Sequence, residues 1–94
     1  MDDGHPERDA LLVQASQALA RLDAKGALVL LDQADRLGRT HNGVLNRSLA
    51  LRLLGDFPAA LRALDDALQM QPYDFMALLA KAAMLEKLGL KKQA

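Results

Sequence analysis

An all-helical fold built from short helical hairpins is what this sequence predicts, on three observations. Its apolar residues are helix formers, they recur at three- and four-residue spacing, and the punctuation between the apolar stripes repeats along the chain. Half of the 94 residues are apolar, and most of these are Leu and Ala, the side chains that lose least on entering a helix. Strand formers are scarce, with three Val, one Thr and no Ile. A chain of this length buries only about 60–70% of its unfolded surface, so a single small domain spanning 1–94 is expected.

Each element follows from local residues. Pro6 suits the first turn of a helix, where its missing N–H costs nothing, and Glu7 and Asp9 place negative charge at the same end. Leu11, Leu12, Ala15, Ala18, Leu19 and Leu22 draw the first stripe, and Gly26 offers the break. Leu28, Leu31, Ala34 and Leu37 form the second stripe, closed by Gly38. His41, Asn42 and Gly43 punctuate next, with Asn42 as the N-cap of a third helix carrying Val44, Leu45, Ser48, Leu49, Leu51 and Leu54. Gly55-Asp56-Phe57-Pro58 is the clearest turn. Beyond it a fourth helix would bury Ala60, Leu61, Leu64, Ala67 and Leu68 up to Met70, and Pro72 ends it. Asp74 caps a fifth helix carrying Leu78, Leu79, Ala82, Leu85 and Leu88, closed by Gly89, and Lys91 to Ala94 begin a truncated sixth.

Several function classes are disfavoured. Twelve basic and twelve acidic side chains cancel, and no like-charge run exceeds Lys91-Lys92, so a nucleic-acid surface is not expected. The absence of Cys removes disulfides, thiolate metal sites and thiol nucleophiles together. Met1 to Pro6 has neither the basic region nor the apolar core of a secretory signal, and no apolar run is long enough to span a bilayer, so no membrane association and a cytoplasmic location are expected. His5 lies in a polar lead and His41 at a loop, neither with a second ligand one helical turn away, which predicts no metal. Ser16, Ser48 and Thr40 lack a histidine placed to activate them, and Asp32, Asp65 and Asp66 read as solvated or capping carboxylates. No catalytic constellation and no cofactor are expected.

A fixed period underlies the hairpins. Gly55 and Gly89 stand 34 residues apart, and at the same offset Leu45 matches Leu79, Leu51 matches Leu85, Leu54 matches Leu88 and Ala60 matches Ala94. At an offset of 33, Ala27, Leu28, Leu31, Asp32 and Ala34 reproduce Ala60, Leu61, Leu64, Asp65 and Ala67. Two helices per unit of this length resemble the tetratricopeptide repeat. Ser48 stands where that family wants a small residue, Leu51 where it wants an aromatic, and Gly55-Asp56-Phe57 is similar to its Gly-Asp-Tyr turn, with Ala60, Leu64, Ala67 and Pro72 completing the unit. Arg47 departs from the pattern, where a leucine is usual, and so disturbs the packing expected at that corner. The resemblance implies a right-handed α-solenoid of five helices plus a truncated sixth, in units of about 7–40, 41–74 and 75–94, the first an atypical cap.

The resemblance also implies a binding module. The first helix of each hairpin would line a concave groove, with Leu45, Asn46, Leu49 and Arg52 from one unit and Met76, Leu79, Ala83 and Glu86 from the next. The occupant would be a peptide or helix of a partner protein or, alternatively, the chain's own continuation. One use of the family, a clamp on a partner's terminal carboxylate, is disfavoured: only Asn46 fits it, while Met76 and Ala80 replace basic residues and the first helix offers Leu12 and Ser16. Tyr73 and Phe75 form an apolar loop that reads as ordinary hairpin packing or as a lid or interface at the groove rim. Leu78, Leu85 and Leu88 would leave the fifth helix half covered, which predicts a longer parent protein and self-association through this end. The stretch from Leu61 to Gly89, Pro72 to Lys81 above all, is similar to the repeat region preceding the catalytic domain in bacterial aspartyl/asparaginyl β-hydroxylase-like proteins. That likeness implies an iron- and 2-oxoglutarate-dependent oxygenase downstream, docked on this domain.

Overall fold

The structure, a computed structural model, describes the backbone of residues 5–93 and the side chains of residues 5–89. Five helices follow one another: α1 (Pro6–Ala20), α2 (Ala24–Leu37), α3 (His41–Leu53), α4 (Phe57–Met70) and α5 (Phe75–Gln93). Among the described residues there is no strand. None of these helices is long and apolar enough to cross a membrane. Ala94, the partner of Ala60 in the sequence period, lies outside the described residues.

The two hairpins, α1–α2 and α3–α4, close with the same hydrogen bonds. Leu22 N–H donates to the Leu19 carbonyl (2.9 Å) and Asp23 N–H to that of Ala18 (2.8 Å); Gly55 N–H donates to Arg52 and Asp56 N–H to Leu51, both at 2.9 Å. Each of these atoms has its counterpart 33 residues on. The six-residue bond that closes both turns needs a left-handed residue beside it. Gly55 adopts that conformation at φ 84°, and Leu22 adopts it at φ 63°. Leu22 therefore belongs to the turn and not to the stripe of α1, and its side chain is 74% exposed.

Cap chemistry corrects three sequence expectations. The break between α1 and α2 falls at Arg21–Asp23, not at Gly26, because the Asp23 carboxylate accepts from Gly26 N–H (3.0 Å) and so makes Gly26 part of the first turn of α2. A Cβ at Gly26 would fall 2.3 Å from that carboxylate. Thr40, not Asn42, caps α3: its hydroxyl accepts from Gly43 N–H at 3.0 Å, which leaves Asn42 inside the helix. Gly89 does not close α5. The backbone continues helically to Gln93, so residues 91–93 belong to α5 rather than to a sixth helix. Gly55 is followed by Asp56 and Pro58, which start α4, whereas Leu90, Lys91, Lys92 and Gln93 contain no capping side chain to restart the chain. Asp74 caps as expected, accepting from both Met76 N–H (3.0 Å) and Ala77 N–H (3.2 Å), and Asp56, read from the sequence only as part of a turn, caps α4 by accepting from Ala59 N–H at 3.2 Å.

Alanine makes the crossings close. Ala18, Ala24, Ala27 and Ala50 are buried together where the first hairpin meets α3. Ala60 and Ala77 are buried with Leu64 and Met84 where α4 meets α5, and Ala63 and Ala67 pack on Val44. Leu31 and Leu64, 33 residues apart, are the largest buried side chains of α2 and α4. Met70, expected on the buried face of α4, is exposed at its last turn. Besides its hairpin partner, α3 packs on both α2 and α1, and α5 packs on α4. The result is elongated, 48 × 28 × 18 Å, with a radius of gyration of 13.7 Å against about 12 Å for a rounded domain of this length.

Charge repeats with the helices. Arg47 reaches back from α3 to two carboxylates of α2, Asp32 at 2.7 Å and Asp35 at 2.9 Å. Lys81 reaches back from α5 to Asp65 of α4 at 2.7 Å. The corner that Arg47 was expected to disturb is thus held by ion pairs. Partial burial works against the Arg47 charge, but the hydrogen bonds to Asp32 and Asp35 outweigh it and hold the guanidinium above its ordinary value. Asp66, on the same helix as Asp65, pairs with Arg39 at 2.8 Å.

Candidate functional site

On α3 the residues Asn42, Leu45, Asn46, Leu49 and Arg52 recur every three or four positions and therefore share one face. On α5 the same holds for Met76, Leu79 and Ala80. These two faces enclose a hollow of ≈ 350 Å³, near the lower limit for pockets that hold small ligands. Ser48 and the buried Leu64 form its floor. Leu45, Leu49, Met76 and Leu79 supply an apolar middle, with Asn42 toward one end of α3 and Arg52 toward the other.

Most of the residues expected in the groove are brought together here. Leu45, Asn46, Leu49, Arg52, Met76 and Leu79 all line the hollow, whereas Ala83 and Glu86, further along α5, are exposed and do not. Asn46 borders the site but has another task. It is only 8% exposed, and its Nδ2 donates to Ser16 Oγ at 3.3 Å, tying α3 to α1. Asn42, read from the sequence as a cap, lines the hollow instead, and Ala80 lines it at the position where the clamp pattern wants a basic residue. Leu64 escaped the sequence reading because a leucine on the buried stripe of α4 carries no mark of also flooring a pocket.

The pair of helices before it, α1 and α3, encloses a smaller hollow of ≈ 220 Å³ lined by Asp9, Leu12, Val13, Ser16 and Asn42. Among the described residues α3 packs directly on α1 but scarcely meets α5. The counterparts of Ser16 and Asn46, at offsets of 33 and 34, are Leu49 and Ala80. Leu49 and Ala80 have no polar atoms to join, and both face the hollow.

Around this site the remaining candidates take structural places. Nε2 of His41 lies 2.8 Å from Oδ2 of Asp74, beside the cap of α5, without forming a hydrogen bond to it. His5 is not part of a loose lead: its Nδ1 accepts from Arg8 N–H at 3.3 Å and caps α1. Ser48 donates its hydroxyl to the Leu45 carbonyl at 2.7 Å, a local bond within α3. Tyr73 is 93% exposed and Phe75 is also exposed, so this loop does not pack into the hairpin and does not cover the hollow. Among the described residues no three His, Asp or Glu side chains gather as a metal site.

Compared with family models, with curated proteins and with solved structures, the chain matches none.

Proposed function

We propose that this chain is a tetratricopeptide-type repeat module that binds a short peptide or helix of another protein between α3 and α5. The observation that carries the reading is the convergence of Leu45, Leu49, Met76 and Leu79 on one hollow. These side chains come from two non-adjacent helices, and Leu49, Met76 and Leu79 are exposed. Apolar side chains left open to water at the mouth of a concave site favour a ligand that covers them. The stacking of the hairpins into a right-handed solenoid belongs to the same proposal. Its support is the recurrence of the turn bonds and of the Arg47 and Lys81 ion pairs at one repeat length.

Panning a randomised peptide library against the immobilised chain selects ligands while the natural partner is still unidentified. Leu49→Glu and Leu79→Glu, placed on exposed positions, are expected to abolish capture of the selected peptides while leaving helix content and unfolding midpoint within error. Undiminished capture by both variants would remove the hollow from the account.

A second reading draws on the outer face of α5, where Phe75, Leu78, Ala82 and Leu85 are all exposed at three- and four-residue spacing. In it the domain is a docking part of a larger protein, such as an aspartyl/asparaginyl β-hydroxylase-like enzyme, and is covered by its own chain. It separates from the first by its stability signature: Leu78→Glu and Leu85→Glu would destabilise the larger protein without affecting peptide capture.

A further inference from the structure

The lining of the hollow carries one charge. Among the described residues that form it, Arg52 alone is ionised, beside leucines, Met76, Ala80, two asparagines and Ser48. Arg39, Arg47 and Lys81 each hold a carboxylate of a neighbouring helix and Lys87 sits 5.5 Å from the centre of the Phe57 ring, whereas Arg21, Lys25, Arg36 and Arg62 lie away from the hollow. No carboxylate of the described residues stands within ion-pairing distance of Arg52. The guanidinium lies one helical turn beyond Leu49 on the same face of α3, and about 15 Å along the axis from Asn42 at the other end.

Resting on the reading of the hollow as a peptide site, we infer that the peptide it takes is acidic. It seats an apolar side chain among Leu45, Leu49, Met76 and Leu79 and sets a carboxylate about one helical turn away on Arg52. The apolar wall beside the guanidinium lowers the local dielectric and strengthens such a pair over one formed in open water. The planar fork of arginine holds a carboxylate by two parallel hydrogen bonds, which fixes the register of the peptide as well as its charge. A basic peptide would meet Arg52 as a like charge with no carboxylate of the site to answer it, so the same residue excludes as well as attracts.

The composition of the peptides selected from the library, and their binding to Arg52 variants of the full chain by fluorescence polarisation, test this. Selected peptides are expected to carry Asp or Glu three or four residues from an apolar anchor. Exchange of that acid for its amide should weaken binding about fivefold, the size of a partly exposed ion pair. Arg52→Gln should erase the difference between acid and amide, Arg52→Lys should keep only the part that charge alone supplies, and Arg52→Glu should reverse it in favour of a lysine-bearing peptide. Arg52 is exposed, and an unchanged circular dichroism spectrum of each variant shows that the fold is retained. Peptides that depend on Leu49 but show neither acid enrichment nor any response to Arg52→Gln would overturn this inference and leave the peptide site standing. Failure of any peptide to be enriched would overturn both.

Discussion

Where the first hairpin meets α3, Asn46 donates to Ser16 and Arg47 holds two carboxylates of α2. Where the second hairpin meets α5, the corresponding positions hold Ala80, Leu49 and Lys81, and Lys81 holds one carboxylate because Leu68 stands in the place of Asp35. The turns, the caps and the alanine crossings are shared by both regions, so the difference is confined to a few side chains between equivalent helices. It teaches that shared turns and caps fix where helices lie along the chain, whereas the junctions differ in what lies between them: a hollow of ≈ 220 Å³ beside the Ser16–Asn46 tie, and a larger, more apolar one of ≈ 350 Å³ where that tie is missing.

The largest effects should come from the two leucines that correspond across the repeat. Leu31→Ala leaves a sealed void and is expected to cost about 3–4 kcal/mol in urea unfolding, while Leu64→Ala opens its void toward the hollow and should cost about 1 kcal/mol less. Equal losses would mean that the hollow is closed in solution and that the two junctions are alike.

The ion pairs come next. Arg47→Ala removes a half-shielded cation shared by two carboxylates and should cost about 1–2 kcal/mol. Lys81→Ala removes a more exposed pair and should cost less than about 0.5 kcal/mol, with the difference shrinking in high salt. A larger loss at Lys81 than at Arg47 would reverse the comparison.

Much of this frame was legible in the sequence. Leucines and alanines at helical spacing, the Gly55 turn and the Asp74 cap each announce themselves through one unambiguous residue. What was not legible turned on residues whose chemistry allows two outcomes. Thr40 and Asn42 are both good caps two positions apart, and only the bond from Gly43 N–H decides between them. Gly89 resembles Gly55 in the repeat but lacks a following cap. Leu22 gives no sign that it will take a glycine's conformation, because the strain is visible only once the turn bonds are drawn. The groove faces were implied by the family resemblance, but the space between them was not. Leu49 and Ala80 stand where Ser16 and Asn46 are bonded in the preceding pair, and the sequence does not display that bond.

Leu22 also sharpens the comparison of the two turns. Its exposed side chain contributes little packing, while its left-handed backbone costs about 1 kcal/mol, so Leu22→Gly should raise stability by up to about that amount in thermal unfolding. Gly55→Ala, at the equivalent position, should lower it by a similar amount. The smallest effect belongs to Ser16→Ala, which removes one long hydrogen bond at a partly exposed site and should cost about 0.5 kcal/mol. Its more telling readout is faster amide exchange in α1 with α5 unchanged.

Nuclear magnetic resonance of the isotopically labelled chain, titrated with a library-selected peptide, tests the difference between the junctions most directly. Shift changes are expected to cluster at Leu45, Leu49, Arg52, Met76 and Leu79, with the buried contacts of α1 and α2 silent. Changes centred on the turn at Leu22, or on the outer face of α5 at Leu78 and Leu85, would contradict that expectation.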